Sequence, residues 1–296
     1  MSISGVWAAS ITPLTLSLDI DRAQFARHIE WLLERGCDGV AVFGSTGEAN
    51  SFSVAERTAA VDSLAEAGIE MHRIVVGAGA CAFPDAVEIC RNAVDRGCAG
   101  VLVTPPFYYK GVSDDGIFAF FERLMAGVGS DALRVVLYHF PRLVAVGYSE
   151  DLIARLVERW PVQIAALKDS SGDLDRMIRI VEEHPSLAVL AGDESLLLDI
   201  LDAGGAGCLT ASANVTSRLC AEVLADRDPD AQDELSDFRD ALSEAPFVPG
   251  LKQLLSEETG RAEWLTIRPP LEALSFDDAD EFREIVSDME TLPNFD

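Results

Sequence analysis

Eight short apolar runs, spread over the first three-quarters of the chain, constrain its fold more than any other feature. They cover residues 6–11, 39–43, 73–78, 100–104, 134–139, 163–168, 187–191 and 207–211, and their starts lie 20 to 34 residues apart. That interval holds a strand, two turns and a helix. The runs are apolar throughout, where a half-exposed strand would alternate, so they read as parallel strands covered on both faces. The stretches between them carry helix signals. Ser53 and Glu56 have the spacing of a capping box, and Pro84 sits where a first helical turn has no N–H to lose. Arg35-Gly36-Cys37-Asp38-Gly39-Val40 recurs as Arg96-Gly97-Cys98-Ala99-Gly100-Val101, and more loosely as Ala203-Gly204-Gly205-Ala206-Gly207-Cys208. Each copy places a glycine where a helix ends and a strand is about to begin. Eight such units favour a closed (β/α)₈ TIM barrel over an open doubly wound sheet, and the barrel is expected to occupy residues 1–225. Residues 226–296 read differently. Helices are expected at 230–243, 248–259 and 278–290, with Pro246, Pro249, Pro269 and Pro270 as breakers and no clear strand. This is a C-terminal helical extension packed on the barrel.

Composition removes several function classes. The chain has 50 acidic residues against 23 Lys and Arg, a net charge of −27. Duplex nucleic acid and anionic membranes both require clustered cations, so neither is an expected partner. No apolar window is long enough to span a bilayer. The Met1-Ser2-Ile3-Ser4 start has no basic n-region, so a signal peptide is not expected and the location is expected to be cytoplasmic. The six cysteines form no C-x-x-C pair and the four histidines no metal-binding pattern. A metal centre is therefore not expected. Lysine is scarce, occurring only at Lys110, Lys168 and Lys252. Any chemistry that needs a primary amine has three candidates.

Enzymes built on this barrel carry their reactive groups at the C-terminal ends of the strands. The sixth run ends in Lys168, the one lysine within an apolar run. A neutral amine there would attack a carbonyl, whereas an ion pair with Asp169 or Asp173 would make it structural. The other two lysines lie in loop-like or helix-like polar settings. The fifth run ends in Tyr138 and His139. Tyr138 could pass a proton to a carbonyl oxygen or could be a core aromatic with a satisfied hydroxyl. The second run leads into Gly44-Ser45-Thr46-Gly47-Glu48, whose amides and hydroxyls could cradle an anion, although turns are commonly rich in these residues.

Taken together, these pieces resemble the dihydrodipicolinate synthase/N-acetylneuraminate lyase family. The matching motifs are Gly44-Ser45-Thr46-Gly47-Glu48, Thr104-Pro105-Pro106, Tyr138 with Pro141, Leu167-Lys168-Asp169-Ser170-Ser171-Gly172-Asp173, Ala191-Gly192-Asp193 and Ser212-Ala213-Asn214-Val215. They stand in family order. The resemblance implies a pyruvate-dependent class I aldolase or lyase in which Lys168 forms a Schiff base with a 2-oxo acid. Tyr138 would relay protons, and Ser45 and Thr46 would hold the carboxylate. Tyr109 would complete the relay from a neighbouring subunit, with a register that could shift by one residue. Gly192 and Leu209 would line the pocket through their backbones. No cofactor is implied beyond the covalent imine, and the partners implied are pyruvate, an aldehyde and further copies of the chain, as a dimer of dimers.

The sequence departs from the synthases of this family at one place. They carry an arginine two residues after the proline of the tyrosine motif, where this chain has Leu143, with Arg142 one position early and His139 replacing a common asparagine. A one-residue shift on a short segment can turn the side chain away, which counts against aspartate semialdehyde as partner. The expectation is therefore a pyruvate-linked aldolase of 2-keto-3-deoxy sugar acid or N-acetylneuraminate type, with His139 and Arg142 among the substrate-binding candidates. The alternatives are a 4-hydroxy-tetrahydrodipicolinate synthase, in which Arg142 takes the missing arginine's role with aspartate semialdehyde, and a non-catalytic sensor of 2-oxo acids.

Overall fold

A computed structural model describes residues 3–287 of the chain. Residues 1–2 and residues 288–290 of the last expected helix lie outside the described residues. Strands β1 (Gly5–Ala9), β2 (Gly39–Val42), β3 (Ile74–Gly77), β4 (Gly100–Val103), β5 (Val135–His139), β6 (Ile164–Asp169), β7 (Ala188–Ala191) and β8 (Gly207–Thr210) form a closed parallel barrel in sequence order. Closure comes from β1 pairing with β8, Trp7 opposite Leu209. The fold is the (β/α)₈ barrel that the eight apolar runs predict.

Helices α1 (Arg22–Glu34), α2 (Val54–Glu66), α3 (Phe83–Asp95) and α4 (Asp114–Val128) cover the first half of the barrel. A short α5 (Pro141–Val144) precedes α6 (Glu150–Arg159), and α7 (Leu174–Glu183), α8 (Leu197–Asp202) and α9 (Ala213–Asp226) complete the ring. The capping box forms: the Glu56 amide donates to Ser53 Oγ at 3.3 Å, and the Ser53 amide donates to Glu56 Oε2 at 2.9 Å. The repeated glycines do what their spacing requires, with φ of 99° at Gly36, 72° at Gly97 and 90° at Gly204, a region that L side chains enter only with strain.

Side chains alternate strictly across the barrel wall. Val6, Val40, Val101, Leu137, Leu167 and Val189 pack outward under the helices. Trp7, Ala41, Val75, Leu102, Val136, Ala166, Leu190 and Leu209 fill the interior. The extension contributes α10 (Pro229–Ser243), α11 (Phe247–Thr259) and α12 (Phe276–Ser287). Pro249 does not break α11. It lies in the first turn, whose amides have no helical acceptor to lose. Phe238, Leu242, Leu251, Leu255 and Trp264 join one apolar cluster with Ile11, Ala211 and Val215 at the C-terminal mouth of the barrel. The extension thus forms one side of that mouth. No helix among the described residues is long and apolar enough to cross a membrane.

Two histidines are folded into this shell in a form that acid opposes. His28 of α1 lies against Trp31 and Trp264, and its Nε2 meets Asn214 Oδ1 at 2.9 Å. Burial pushes its pKa down to about 4, the Asn214 hydrogen bond opposing the shift. His139 is likewise pushed down to about 4, first by burial and then by the nearby Arg176 charge. A histidine with a lowered folded value takes up its proton more readily when unfolded. Its stabilising contribution is complete above about pH 6.5 and disappears as pH falls towards 4. Unfolding free energy is therefore expected to decline between pH 6.5 and 5 by ~1.4 kcal/mol per pH unit for each histidine. Urea titrations at stepped pH measure this directly, and a flat profile over that interval would contradict the assignment.

Candidate active site

The site begins with strand parity. Tyr138 follows Val136 by two residues and Lys168 follows Ala166 by two, so both point into the barrel. They are partners in the β5–β6 register, at the C-terminal ends of their strands. Lys168 is 4% exposed and Tyr138 5%. The Lys168 Nζ lies 4.4 Å from the centre of the Tyr138 ring, and that ring stacks on Phe140 at 5.8 Å.

Neither acid expected as an ion-pair partner is available to Lys168. Asp169 points outward by the same parity and pairs with Arg176, while its Oδ1 accepts from the Ser171 amide at 2.8 Å and from Ser171 Oγ at 2.6 Å. Asp173 caps α7 by accepting from the Arg176 amide at 2.9 Å. Among the described residues no carboxylate forms a salt bridge with Lys168, and the structural reading of this lysine is set aside.

The other two lysines are committed. Lys110 donates to the Phe107 carbonyl and, at 2.9 Å, to that of Val144. Lys252 is not in the polar setting that its sequence neighbours suggest. It is fully buried, and its Nζ donates to Glu48 Oε1 at 2.5 Å and to the Thr266 carbonyl at 2.8 Å. Burial pushes the Lys252 ammonium below the usual lysine range, and the Glu48 charge opposes the shift. Among the described residues, acceptors hold the amines of Lys110 and Lys252 and none holds that of Lys168.

The loop after β2 presents Ser45 and Thr46 to the same space. Its turn is closed by the Glu48 amide donating to the Ser45 carbonyl at 3.1 Å, with Glu48 at a left-handed φ of 55°. The Glu48 carboxylate then anchors the extension, since Oε2 accepts from the Arg268 amide at 3.0 Å. Gly192 follows β7, and its amide donates to the Asp169 carbonyl at 2.7 Å. A Cβ there would come within 2.0 Å of Ser170 Oγ and 2.8 Å of the Asp169 carbonyl oxygen, so only glycine fits.

Two chambers meet at Tyr138 and Ser45. One, of about 360 Å³, is lined by Ser45, Thr46, Tyr138, Lys168, Gly192 and residues of the extension. The other, of about 390 Å³, includes Gly79, Thr104 and Lys110 in its lining. The Thr104 Oγ1 is buried there without a hydrogen-bond partner.

Three expected site residues lie elsewhere. His139 is one residue after Tyr138 and therefore faces the helix layer, where its Nδ1 accepts from the Tyr148 amide at 3.0 Å. It lines neither chamber. Leu209 is fully buried in the barrel interior and lines neither chamber. Tyr109 is 73% exposed, packed edge-on against the equally exposed Tyr108, outside both chambers. Arg142 differs in the other direction. On the short α5 both Arg142 and Leu143 border the chamber, so the one-residue shift does not turn Arg142 away. Arg239, Phe247 and Val248 of the extension also line the pocket and had no signal in the sequence, because long-range packing brings them there.

The Dihydrodipicolinate synthetase family model matches residues 2–289 of the chain. A relative in Chloroflexus aurantiacus, described as an uncharacterized DapA-like lyase, is 32% identical over 277 residues, 92% of each chain. A 4-hydroxy-tetrahydrodipicolinate synthase of Rhizobium meliloti is 31% identical over 274 residues, covering 89% of this chain and 90% of that one. The crystal structure of dihydrodipicolinate synthase from Agrobacterium tumefaciens superposes with a TM-score of 0.92 at 33% identity, covering 97% of this chain and 99% of the other.

Proposed function

The chain belongs to the dihydrodipicolinate synthetase family, and within it we propose a pyruvate-dependent class I aldolase that makes or breaks a carbon–carbon bond through an imine on Lys168. The observation that carries this reading is the uncommitted, buried amine beside Tyr138, in a chain whose other two lysines are held by acceptors. The Lys168 amine adds to the ketone carbon of the 2-oxo acid, and the hydroxyl so formed leaves as water with the Tyr138 proton, so that an iminium and a tyrosinate remain. That cation accepts the electron pair of the cleaving bond and becomes an enamine, while the substrate hydroxyl loses its proton to Tyr138 and departs as an aldehyde. Protonation of the enamine carbon and hydrolysis release pyruvate and regenerate the amine. Ser45 and Thr46 hold the carboxylate so that the ketone carbon faces Lys168. In a chain of net charge −27 this local grip outweighs long-range steering, which would repel an anion. No cofactor enters these steps. A second copy bringing Tyr109 to the relay fits the exposure of that residue in the single chain.

The residue pattern offers two aldehydes, a sugar-acid fragment and aspartate semialdehyde. The second, which would make the protein a 4-hydroxy-tetrahydrodipicolinate synthase, would set its carboxylate against Arg142 at the chamber edge. The imine itself is tested by incubating the protein with pyruvate, reducing with borohydride and mapping the adduct by peptide mass. Modification of Lys168 is expected. No adduct, or one on Lys110 or Lys252, overturns the mechanism.

A further inference from the structure

We infer that the aldehyde half of the substrate carries an apolar group, aromatic or branched aliphatic, in place of a polyhydroxylated or carboxylated chain. The inference rests on the aldolase reading above and extends it to the second substrate.

Beyond Lys168 and Tyr138 the chamber wall includes Phe140, Leu143, Phe247, Val248 and Leu271. Its volume, about 360 Å³, falls within the range of small-molecule sites, so it holds more than a three-carbon acid. The polar side chains on this wall are already paired. Asp193 Oδ1 accepts from the Ser195 amide at 3.2 Å and from Ser195 Oγ at 2.8 Å, and its Oδ2 lies 3.4 Å from Arg239. Arg239 also reaches Glu194 at 3.2 Å, and its guanidinium lies 4.6 Å from the centre of the Phe247 ring. Both its charge and its face are thereby occupied. Two polar groups remain. The Ser170 hydroxyl is beside Gly192 at the Lys168 end, and Arg142 is exposed at the mouth with its Nη2 towards Gly172.

A polyol seated against this wall would bury hydroxyls that find no partner, whereas an apolar group would shed water from both surfaces. An aldehyde with a carboxylate would meet one exposed arginine at the rim and an apolar surface behind it. The energetic balance selects the apolar substituent.

The test measures condensation of pyruvate with a panel of benzaldehyde, isobutyraldehyde, glyceraldehyde and aspartate semialdehyde, with borohydride trapping of pyruvate on the same preparation. The expected result is trapping at Lys168 together with kcat/KM at least about 100-fold higher for the apolar aldehydes. Phe247→Asn is expected to narrow the benzaldehyde-to-glyceraldehyde ratio about tenfold. Trapping at Lys168 with equal or greater turnover of glyceraldehyde or aspartate semialdehyde overturns this inference and leaves the imine chemistry standing. Absence of trapping overturns the aldolase reading, and this inference with it.

Discussion

Lys168→Met is expected to lower the rate of carbon–carbon bond turnover at least about 10³-fold, the scale of loss when a covalent nucleophile is removed. The physical reason is that the iminium on Lys168 is the sink for the electron pair of the cleaving bond, and the nearby hydroxyls of Ser45, Thr46 and Tyr138 cannot form one. The fold should survive the substitution, because Lys168 has no salt bridge to lose and methionine matches its length within the apolar barrel interior. Circular dichroism and urea unfolding check the fold, and steady-state rates check the chemistry. Tyr138→Phe, which keeps the ring under the amine and removes only the proton relay, should lose about 10²–10⁴-fold. A Lys168→Met protein that keeps more than a tenth of the wild-type rate would remove the imine from the mechanism. A wild-type protein that traps pyruvate yet turns over no aldehyde would instead be the 2-oxo acid sensor.

Lys252→Met should cost about 3–5 kcal/mol of stability, because it leaves a buried carboxylate without its counter-ion. Glu48 is 3% exposed and Lys252 fully buried, so water cannot replace the missing partner. The pair joins residues far apart in the sequence, the loop that carries Ser45 and Thr46 and helix α11 of the extension. Loosening it should therefore raise the KM for the 2-oxo acid more than it lowers kcat. Lys252→Met combined with Glu48→Gln removes both charges and should recover more than half of the lost stability. Denaturant midpoints for the two single variants and the double variant form the thermodynamic cycle. A single-variant cost below about 1 kcal/mol would show that the pair does not hold the loop.

Much of the site was legible because strand parity is local. Tyr138 and Lys168 each sit two residues beyond an interior apolar side chain, and a period of two needs only neighbouring residues to be read. The same parity turns His139 outward, since a residue adjacent to an inward tyrosine faces the helix layer. Resemblance to a motif had placed it in the pocket, and the geometry returns it to the helix layer. Arg142 shows the opposite limit. A four-residue helix at the chamber edge presents consecutive residues to the same space, so a shift of one position does not carry the side chain away.

The sequence by itself determined the barrel, the lysine and the tyrosine. Eight buried strands impose a hydrophobic pattern that no solvent-exposed segment would keep, and an isolated lysine in such a pattern needs no partner to be noticed. Only the tertiary structure decided which lysines are occupied and what surrounds Lys168. Lys252 looks polar among its sequence neighbours, but its partner Glu48 lies 204 positions away. Phe247 and Arg239 reach the pocket because the extension packs across the barrel mouth. Burial and pairing are properties of distance in space, and chain order carries no measure of it.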